Sequence, residues 1–334
     1  MKKIRGLEIL LFDNNTFNWC FIGLGNVARK VALELNVIKG RSHKIVSVYS
    51  DNPSEANSFS MFYGGKVYSD MDQAISDPDV EAVYISDVSI TRHYEIALKC
   101  IELKKPVLIE KPIFINEKQA LDIFARAKEN GVYVSSTTWN WFYPIYSKVK
   151  EWIGDGEIGD VKKMDIHFSK RNNDASLMTL ESGSGALIEL CTFPFSYCNN
   201  VFGYPDSIIC DAKKTESGVD ETSKITLKYA QGFDCIITVS LKHFVGRDNA
   251  TITGTDGMIT VPFFQQLVRA KLMSTRKRDT SNFVKTNFST FDIVAQEIKD
   301  GLVESEFLPQ ENIIKVLRMI DECRRQTGIV YPGD

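Results

Sequence analysis

A short glycine-rich run near the start of the chain carries the first chemistry that the sequence suggests. The run follows an apolar segment at 17–22 and consists of Gly23, Leu24, Gly25, Asn26, Val27 and Ala28. In this GxGxxA pattern the first glycine permits a tight turn, the second lets the backbone approach a diphosphate, and the alanine keeps helix and strand close. The amides and the positive dipole end of the following helix are then expected to bind the phosphates of a dinucleotide. We therefore predict a cofactor site that includes residues 23–27.

An acidic residue closes the second predicted strand, where the ribose of a dinucleotide is expected. Residues 45–49 form a short β-branched run, and Ser50 and Asp51 follow it. A carboxylate at this place accepts hydrogen bonds from both ribose hydroxyls and repels a 2′-phosphate, and no arginine follows it closely in the sequence. NAD is therefore the expected cofactor, with NADP as the alternative. The competing interpretation is that Asp51 only caps the helix that begins near Pro53.

The elements around these residues predict how they are held. In the first half, helix-like segments separate strand-like segments at 17–22, 45–49, 81–86, 106–110 and 132–137. This alternation with short connections predicts an α/β fold, a doubly wound parallel sheet covered by helices on both faces. Residues 1–138 are accordingly predicted to form a Rossmann dinucleotide-binding domain, with residues 1–16 as an N-terminal extension.

The second half follows a different pattern. A helix at 144–153, a strand at 161–170 and a helix-like segment at 185–202 precede several strand candidates in succession, at 206–212, 222–230, 233–242, 248–253 and 257–262. Strands without intervening helices indicate a mixed or antiparallel sheet, so residues 139–334 are predicted to be an α+β domain. Helices near 289–301 and 309–326 close the chain, and the basic stretch at 269–278 is expected to be a solvated loop.

Composition and charge limit the classes of function. The 334 residues exceed what one hydrophobic core usually serves, and a net charge of −3 provides no basic surface for nucleic acid. The four histidines and seven cysteines form no CxxC pair and no metal-ligand cluster, so no metal is expected and the thiols are expected to be buried and reduced. No segment reaches the roughly 20 apolar residues that span a bilayer, and the short run after the first lysines is interrupted by Glu8. We expect a cytoplasmic protein that binds small molecules or further copies of itself.

Longer motifs resemble the Gfo/Idh/MocA oxidoreductases, in particular the members similar to dihydrodiol dehydrogenase and glucose-fructose oxidoreductase. The motifs are HYEIALKCIELKKPVLIEKP, TWNWFYPIYSKVKEWIGDGEIGDV, SGSGALIELCTFPF, FGYPDSI, ITGTDGMITVPFF and DECRRQTGIVYPGD, and they extend over nearly the whole chain. The resemblance implies that the second domain has a large open sheet, whose outer face often forms a subunit interface; a homodimer or homotetramer is therefore expected. It also implies an NAD(P)-dependent enzyme that transfers a hydride between the nicotinamide and a hydroxyl- or carbonyl-bearing carbon of a sugar, cyclitol or related diol.

The EKP motif supplies the expected catalytic lysine. Lys111 follows a predicted parallel strand, so it is expected to point into the crevice where such folds bind ligands. Its ammonium would stabilise the substrate oxygen, or exchange a proton with it if burial lowers the pKa of the lysine. In the family the matching lysine has this place, and the residue that matches Glu110 lies near the cofactor.

The second catalytic element of the family departs from its usual form in this chain. Members usually carry Asp followed four residues later by His or Tyr, which places both side chains on one helical face. Here Glu189 and Phe193 stand at these positions, and phenylalanine cannot transfer a proton. Three interpretations remain open: Lys111 works alone with Glu189 as its orienting or tuning partner, Thr192 or Tyr197 supplies a hydroxyl, or the protein binds dinucleotide without turnover as a sensor or structural protein.

Further departures concern cofactor and substrate contacts. The TPN motif of the family is replaced by Asp87, Val88 and Ser89, and Trp141 stands where an arginine is common. His93 matches a histidine common in the family, and a structural role at a helix entrance is expected for it. Substrate binding and interdomain packing remain alternative roles for an aromatic cluster that consists of Trp139, Trp141, Phe142 and Tyr143.

Overall fold

A computed structural model describes residues 16–37, 43–138, 144–170, 178–242, 248–264, 269–282 and 290–334. The described residues form one six-stranded sheet and one eight-stranded sheet, with helices packed against both. The aromatic cluster at 139–143 lies outside the described residues, and so do residues 1–15. No helix within the described ranges is long and apolar enough to cross a membrane.

The first sheet is parallel throughout. Its strands are β1 Phe17–Ile22, β2 His43–Tyr49, β3 Lys66–Val67, β4 Ala82–Ile85, β5 Val107–Ile109 and β6 Val134–Ser136. They lie in the order β3-β2-β1-β4-β5-β6, and every pair of neighbours runs parallel. The predicted parallel sheet is therefore confirmed, and β1 and β4 lie side by side at its centre.

Helices cover both faces of this sheet. They are α1 Asn26–Val37, α2 Pro53–Tyr63, α3 Met71–Ser76, α4 Ile90–Glu102 and α5 Glu117–Asn130. Because successive strand residues point to opposite faces, Phe21 and Tyr84 pack in one apolar cluster, whereas Ile22 and Ile85 pack in another. The predicted doubly wound arrangement is confirmed. The two-residue β3 and the six-residue α3 are additions that were too short to give a periodic signal.

The second sheet is mixed. Its strands are β7 Val161–Ser169, β8 Ser207–Lys214, β9 Asp220–Tyr229, β10 Phe233–Ser240, β11 Asp248–Gly254, β12 Gly257–Pro262, β13 Arg269–Ser274 and β14 Arg278–Asn282. Their order is β14-β13-β12-β11-β7-β10-β9-β8, and β7 and β10 are the parallel neighbours within it. The predicted α+β character with a large mixed sheet is confirmed.

The loop predicted at 269–278 is wrong, because β13 and the first residue of β14 occupy that stretch. Ala270 and Leu272 are buried, while Arg269 and Lys271, which alternate with them, are exposed. A strand with one buried face alternates in this way, and the basic residues on its exposed face concealed the period of two.

Five further helices follow in the described part of the chain. They are α6 Pro144–Gly154, α7 Ala186–Leu190, α8 Thr192–Phe202, α9 Thr290–Lys299 and α10 Gln310–Thr327. The helix predicted at 185–202 is divided between α7 and α8 at Cys191. From α9, Phe291 packs edge-on against Trp19 and Tyr84 of the parallel sheet, with ring centroids 4.9 and 5.1 Å apart. From α10, the Arg318 guanidinium binds Glu117 of α5 at 2.6 Å. The division at residues 138/139 remains our proposal.

Candidate active site

The glycine-rich run forms the turn between β1 and α1. Gly23 has a φ of +79°, and its N–H donates to the Tyr49 carbonyl oxygen at 3.1 Å. A Cβ at this position would lie 1.7 Å from the Ser86 carbonyl oxygen, so glycine alone fits here. The side chain of Leu24 is buried, and α1 begins two residues later at Asn26. The first amides of α1 thus lie at the carboxyl edge of the parallel sheet.

A carboxylate of the chain itself binds two of these amides. Asp87, two residues after β4, accepts hydrogen bonds from the Val27 N–H at 3.1 Å and from the Ala28 N–H at 2.7 Å. A Cβ at Gly25 would lie 2.9 Å from the side chain of Asp87, so the missing side chain at Gly25 makes room for this contact. The sequence alone identifies Asp87 only as a departure from a family motif, because its partner Val27 is 60 positions away.

A cavity of about 270 Å³ lies beside the glycine turn, at the ends of β1, β2 and β4. The predicted residues Ser50 and Asp51 line it together with Glu55 and Arg92. Asn52, not Asp51, caps α2, because its side chain accepts from the N–H groups of Ser54 and Glu55. The capping interpretation of Asp51 is therefore wrong.

Asp51 has a charged partner that local sequence does not reveal. Its carboxylate binds the guanidinium of Arg92, from α4, and accepts a hydrogen bond from the Tyr49 hydroxyl at 2.9 Å. Partial burial raises the pKa of Asp51, but the bonds from Tyr49 and Arg92 outweigh it, so the pKa lies below its usual value. An arginine is therefore present at the ribose end of the crevice although none follows Asp51 closely in the sequence.

The EKP lysine lies at the same edge of the sheet, after β5. The Lys111 ammonium donates to the main-chain carbonyl oxygen of Glu189 at 3.3 Å and lies 5.5 Å from the ring centre of Phe193. Burial lowers the pKa of Lys111 below its usual value of 10.5, and the charge of Lys170 adds to this effect, while Glu110 and Glu189 oppose it. Lys170, next to the end of β7, is a candidate that sequence reasoning missed.

The carboxylate of Glu110 is hydrogen-bonded both within the parallel sheet and to the Lys111 main-chain N–H, at 3.3 Å. Its carboxylate accepts a hydrogen bond from the Tyr84 hydroxyl at 2.7 Å. Burial raises the pKa of Glu110, against the lowering effect of this bond and of the charge of Lys111. Glu110 is therefore suited to fixing the shape of the turn between β5 and α5 and to biasing the charge of Lys111.

Glu189 meets Lys111 through its main chain, and its carboxylate points elsewhere. The carboxylate accepts a hydrogen bond from the Ser184 hydroxyl, and the Ser184 carbonyl oxygen accepts one from the Tyr331 hydroxyl at 2.8 Å. The predicted pair of Lys111 and Glu189 is thus brought together, with the carboxylate anchored to the loop before α7.

The hydroxyls considered as substitutes for the missing proton donor lie elsewhere. Tyr197 is fully buried, and its ring packs against Tyr146 and Phe264 with centroids 5.0 and 5.1 Å apart. Thr192 lines a water-sized cavity with Ile113. The structure shows neither hydroxyl in contact with Lys111, which leaves Phe193 as the side chain of α8 that faces it.

His93 contacts the main chain just after the EKP motif. It is buried in the first turn of α4, and its Nδ1 lies 3.1 Å from the Ile113 carbonyl oxygen, two residues beyond Lys111. Nδ1 must carry the proton in order to donate to a carbonyl, so Nε2 is a buried acceptor, and it has no hydrogen-bond partner. Burial lowers the pKa of His93 to about 4, so the ring is neutral and holds the turn in place.

Three features of the crevice fit a nicotinamide dinucleotide. The turn at Gly23, the cavity beside Asp51 and the lysine at the carboxyl edge of the sheet are the features with which doubly wound folds bind such cofactors. Asp87 opposes the fit at the diphosphate, since its carboxylate holds the amides expected to bind the phosphates. Within the described ranges, no cluster of three His, Cys, Asp or Glu side chains could hold a metal ion.

Fold and crevice together are those of an oxidoreductase with a nicotinamide-dinucleotide site. A family model described as an oxidoreductase family with an NAD-binding Rossmann fold matches residues 17–138, and one described as the GFO/IDH/MocA C-terminal domain matches residues 146–260. The chain belongs to the Gfo/Idh/MocA family of oxidoreductases, and this membership makes it an NAD(P)-dependent dehydrogenase or reductase by class.

Individual relatives are distant but cover the chain almost completely. The trans-1,2-dihydrobenzene-1,2-diol dehydrogenase of Xenopus laevis is 24% identical over 328 residues, which cover 94% of this chain and 99% of that protein. The 3-ketoreductase KijD10 of Actinomadura kijaniata, solved with NADP and TDP-benzene, superposes with a TM-score of 0.82 at 18% identity, over 93% of this chain and 98% of that one. An aldose-aldose oxidoreductase from Caulobacter crescentus gives a TM-score of 0.80 at 16% identity, over 94% and 98%. These two structures support the fold.

Proposed function

We propose that the protein transfers a hydride between a nicotinamide cofactor and a hydroxyl- or carbonyl-bearing carbon of a sugar, cyclitol or related diol. The observation that carries this proposal is the desolvated ammonium of Lys111, at the same edge of the parallel sheet as the turn at Gly23. The names of the relatives support the substrate class, since they act on a cyclic diol or on aldoses.

Lys111 is the proposed proton-transfer group. When bound, the nicotinamide supplies or accepts the hydride. In the direction of reduction, the Lys111 ammonium donates a proton to the carbonyl oxygen of the substrate, and in the direction of oxidation the neutral amine accepts the hydroxyl proton. The lowered pKa of Lys111 makes the neutral amine accessible closer to neutral pH than it is for a lysine in water.

Glu189 and Glu110 are proposed to position and tune this lysine. The main-chain carbonyl of Glu189 fixes the Lys111 ammonium at 3.3 Å, while both carboxylates favour its charged form. The Ser184 hydroxyl holds the Glu189 carboxylate in turn. Glu189→Gln is therefore expected to alter the pH at which Lys111 titrates without abolishing turnover.

A variant of the lysine tests the proposal directly. Sugars and diols, including trans-1,2-dihydrobenzene-1,2-diol, are screened for a change in nicotinamide absorbance with either cofactor. On any substrate found, Lys111→Met should lower kcat by about a thousandfold and change the cofactor Kd by less than about threefold, because the proton-transfer group is lost while the turn at Gly23 is kept. Lys118→Ala, a change at an exposed lysine of α5, is the control and should retain turnover. Full turnover by Lys111→Met would refute the role of the lysine.

The second candidate is a dinucleotide-binding protein without turnover, and Phe193 favours it. The ring lies over the Lys111 ammonium at the position where the family usually carries a proton-transferring Tyr or His. Tight binding of NADH together with no turnover on the whole panel would support this candidate. Turnover on any member of the panel would exclude it.

For the cofactor, we propose NAD over NADP. Asp51 can accept hydrogen bonds from the ribose hydroxyls, and its charge repels a 2′-phosphate. Arg92 is the group that could reverse this preference, but its guanidinium is bound to Asp51. NADH should therefore raise the Tm of the protein more than NADPH does. Asp51→Asn, which frees Arg92, should reduce the difference between the two increases in Tm. Stronger stabilisation of the unaltered protein by NADPH would contradict the proposal.

We further propose a homodimer or homotetramer that uses the outer face of the mixed sheet. Ile209 of β8 and Met273 of β13 are 52% and 49% exposed, while the neighbouring Leu272 is buried against the core. Light scattering of the purified chain tests this proposal, and a monomer at micromolar concentration would contradict it.

A further inference from the structure

We infer that Asp87 is an internal competitor of the cofactor diphosphate, and that this residue determines how tightly the crevice binds a dinucleotide. The inference rests on the proposed function, because it concerns the same crevice. It assigns to Asp87 a role in cofactor affinity that neither the glycine motif nor the family match provides.

The position of the carboxylate is the first support. Both oxygens of Asp87 are used at the start of α1, one by the Val27 N–H at 3.1 Å and the other by the Ala28 N–H at 2.7 Å. These are amides of the first helical turn, which has no intrahelical acceptor for them and which presents the positive end of the helix dipole. A carboxylate and a phosphate compete for these donors because both are anions whose oxygens accept hydrogen bonds from main-chain amides.

The backbone of Asp87 is the second support. Its φ of +47° lies in the left-handed region, which non-glycine residues seldom adopt and which Asp and Asn tolerate best. This conformation turns the short side chain back toward α1. The close fit at Gly25, where a Cβ would lie 2.9 Å from the Asp87 carboxylate, shows how tightly the side chain occupies the approach to the turn.

The charge of the adjacent cavity is the third support. Three carboxylates line it, those of Asp51, Glu55 and Asp87, against the guanidinium of Arg92. Arg92 is bound to Asp51. A diphosphate that enters this cavity therefore meets a carboxylate at the helix, and the guanidinium of Arg92 in the lining is already paired with Asp51, so Asp87 must swing away before the phosphate oxygens reach the amides.

This arrangement makes a specific distinction between ligands. A compound that carries a diphosphate has to displace Asp87, whereas a nucleoside that occupies only the ribose end of the cavity does not. Removal of the carboxylate should strengthen the binding of ADP-ribose and NADH and leave the binding of adenosine unchanged.

Calorimetric titrations of the full-length chain test the inference with ADP-ribose, NADH and adenosine as the probes. Asp87→Asn keeps the size of the side chain and tolerates the left-handed backbone, and Asp87→Gly removes the side chain without strain. Asp79→Asn is the matched control: it makes the same change in net charge, and it lies before β4 at the opposite edge of the sheet from Asp87.

Both Asp87 variants should lower the Kd for ADP-ribose and NADH by about tenfold relative to the unaltered chain, as expected when an anion is removed from a helix N-terminus that a second anion must reach. Asp79→Asn should change these constants by less than about twofold, and adenosine should bind all four proteins alike. Equal or weaker binding of ADP-ribose by both Asp87 variants would overturn the inference and leave the proposed function intact. If neither the unaltered chain nor any variant binds a dinucleotide, the proposed function and the inference fail together.

Discussion

The charged groups at the two ends of the crevice have different hydrogen-bond partners. We call these ends the glycine end, at Gly23, and the lysine end, at Lys111. At the glycine end, the carboxylate of Asp87 uses both oxygens on the amides of α1. At the lysine end, the Lys111 ammonium has a main-chain carbonyl at 3.3 Å and an aromatic ring at 5.5 Å, and no described carboxylate lies within salt-bridge distance of it.

The two sets of partners indicate which end of the crevice is ready for a ligand. A partly buried donor with unused hydrogen-bonding capacity forms a favourable hydrogen bond when a substrate oxygen arrives, so Lys111 is suited to its proposed role. Amides that already bind a carboxylate gain little from a phosphate, because one anion replaces another. We therefore expect chemistry to depend on the lysine end and cofactor affinity to depend on the glycine end, and the following variants test that division.

The largest effect is expected from a side chain added at the glycine end. Gly23→Ala places a Cβ 1.7 Å from the Ser86 carbonyl oxygen at a φ of +79°, so β1 and β4 must move apart or the turn must change shape. We expect the free energy of unfolding to fall by more than about 3 kcal/mol, and dinucleotide binding to be lost, as measured by urea denaturation and calorimetry.

The control for this variant is Gly131→Ala at the end of α5. Gly131 also has a positive φ, +64°, but a Cβ there would have no neighbour within 4 Å. This variant should lower the free energy of unfolding by only roughly 1–2 kcal/mol, the cost of a left-handed backbone at a residue that has a Cβ. Equal losses of stability at the two positions would show that the contact with Ser86 does not restrict the turn.

A smaller effect, on the pH dependence of stability, is expected from His93, which contacts the main chain near Lys111. His93 has a pKa of about 4 in the folded chain against an ordinary value of 6.5. As the pH falls from 6.5 toward 4, the unfolded chain takes up a proton that the folded chain does not, so stability falls with falling pH, by up to about 3 kcal/mol.

His93→Asn removes this titration and keeps a donor for the Ile113 carbonyl. The difference in unfolding free energy between the unaltered chain and the variant should shrink as the pH falls through this window. Taking the difference cancels groups common to both, such as Asp321, whose pKa is raised to about 6 by burial and whose contribution has the opposite sign. A constant difference between pH 7 and pH 4.5 would contradict a neutral, buried His93.

The division between the two ends also shows what sequence could and could not predict. The sequence predicts Gly23 and Lys111 as site residues because a glycine pattern and the EKP motif of the family stand directly after strands that are continuous apolar runs. It does not predict Asp87 and Arg92 as site residues, because their partners Val27 and Asp51 lie 60 and 41 positions away. In a doubly wound sheet β1 and β4 are neighbours, so comparing the residues that follow these two strands would have paired Asp87 with the amides of α1.

In the second half, the sequence predicted most elements but not their detailed geometry. Strands β9 to β12 were found from their alternation, whereas β13 was missed because its exposed face is basic. The predicted neighbours Lys111 and Glu189 do meet, but no pattern indicated that the main chain of Glu189, not its carboxylate, makes the contact. That detail depends on Ser184, whose hydroxyl draws the carboxylate away.

The smallest effect is expected from the ring that faces the lysine. The Lys111 ammonium lies 5.5 Å from the centre of the Phe193 ring, and a cation near an aromatic ring is stabilised by roughly 0.5–1 kcal/mol. Phe193→Leu removes this interaction, so the pKa of Lys111 should fall further below its usual value. The pH dependence of kcat/KM for substrate oxidation should then rise at a correspondingly lower pH, since oxidation requires the neutral amine.

Phe195→Leu is the matched control, because Phe195 is fully buried on the same helix and is not the ring that faces Lys111. It should reduce stability as any large-to-small core change does and leave the pH profile unchanged. A profile that shifts equally in both variants would mean that packing of α8, and not the ring itself, sets the charge of the lysine. A profile that shifts in Phe193→Leu alone would show that phenylalanine, although unable to transfer a proton, still acts on the reaction by holding Lys111 in its protonated form.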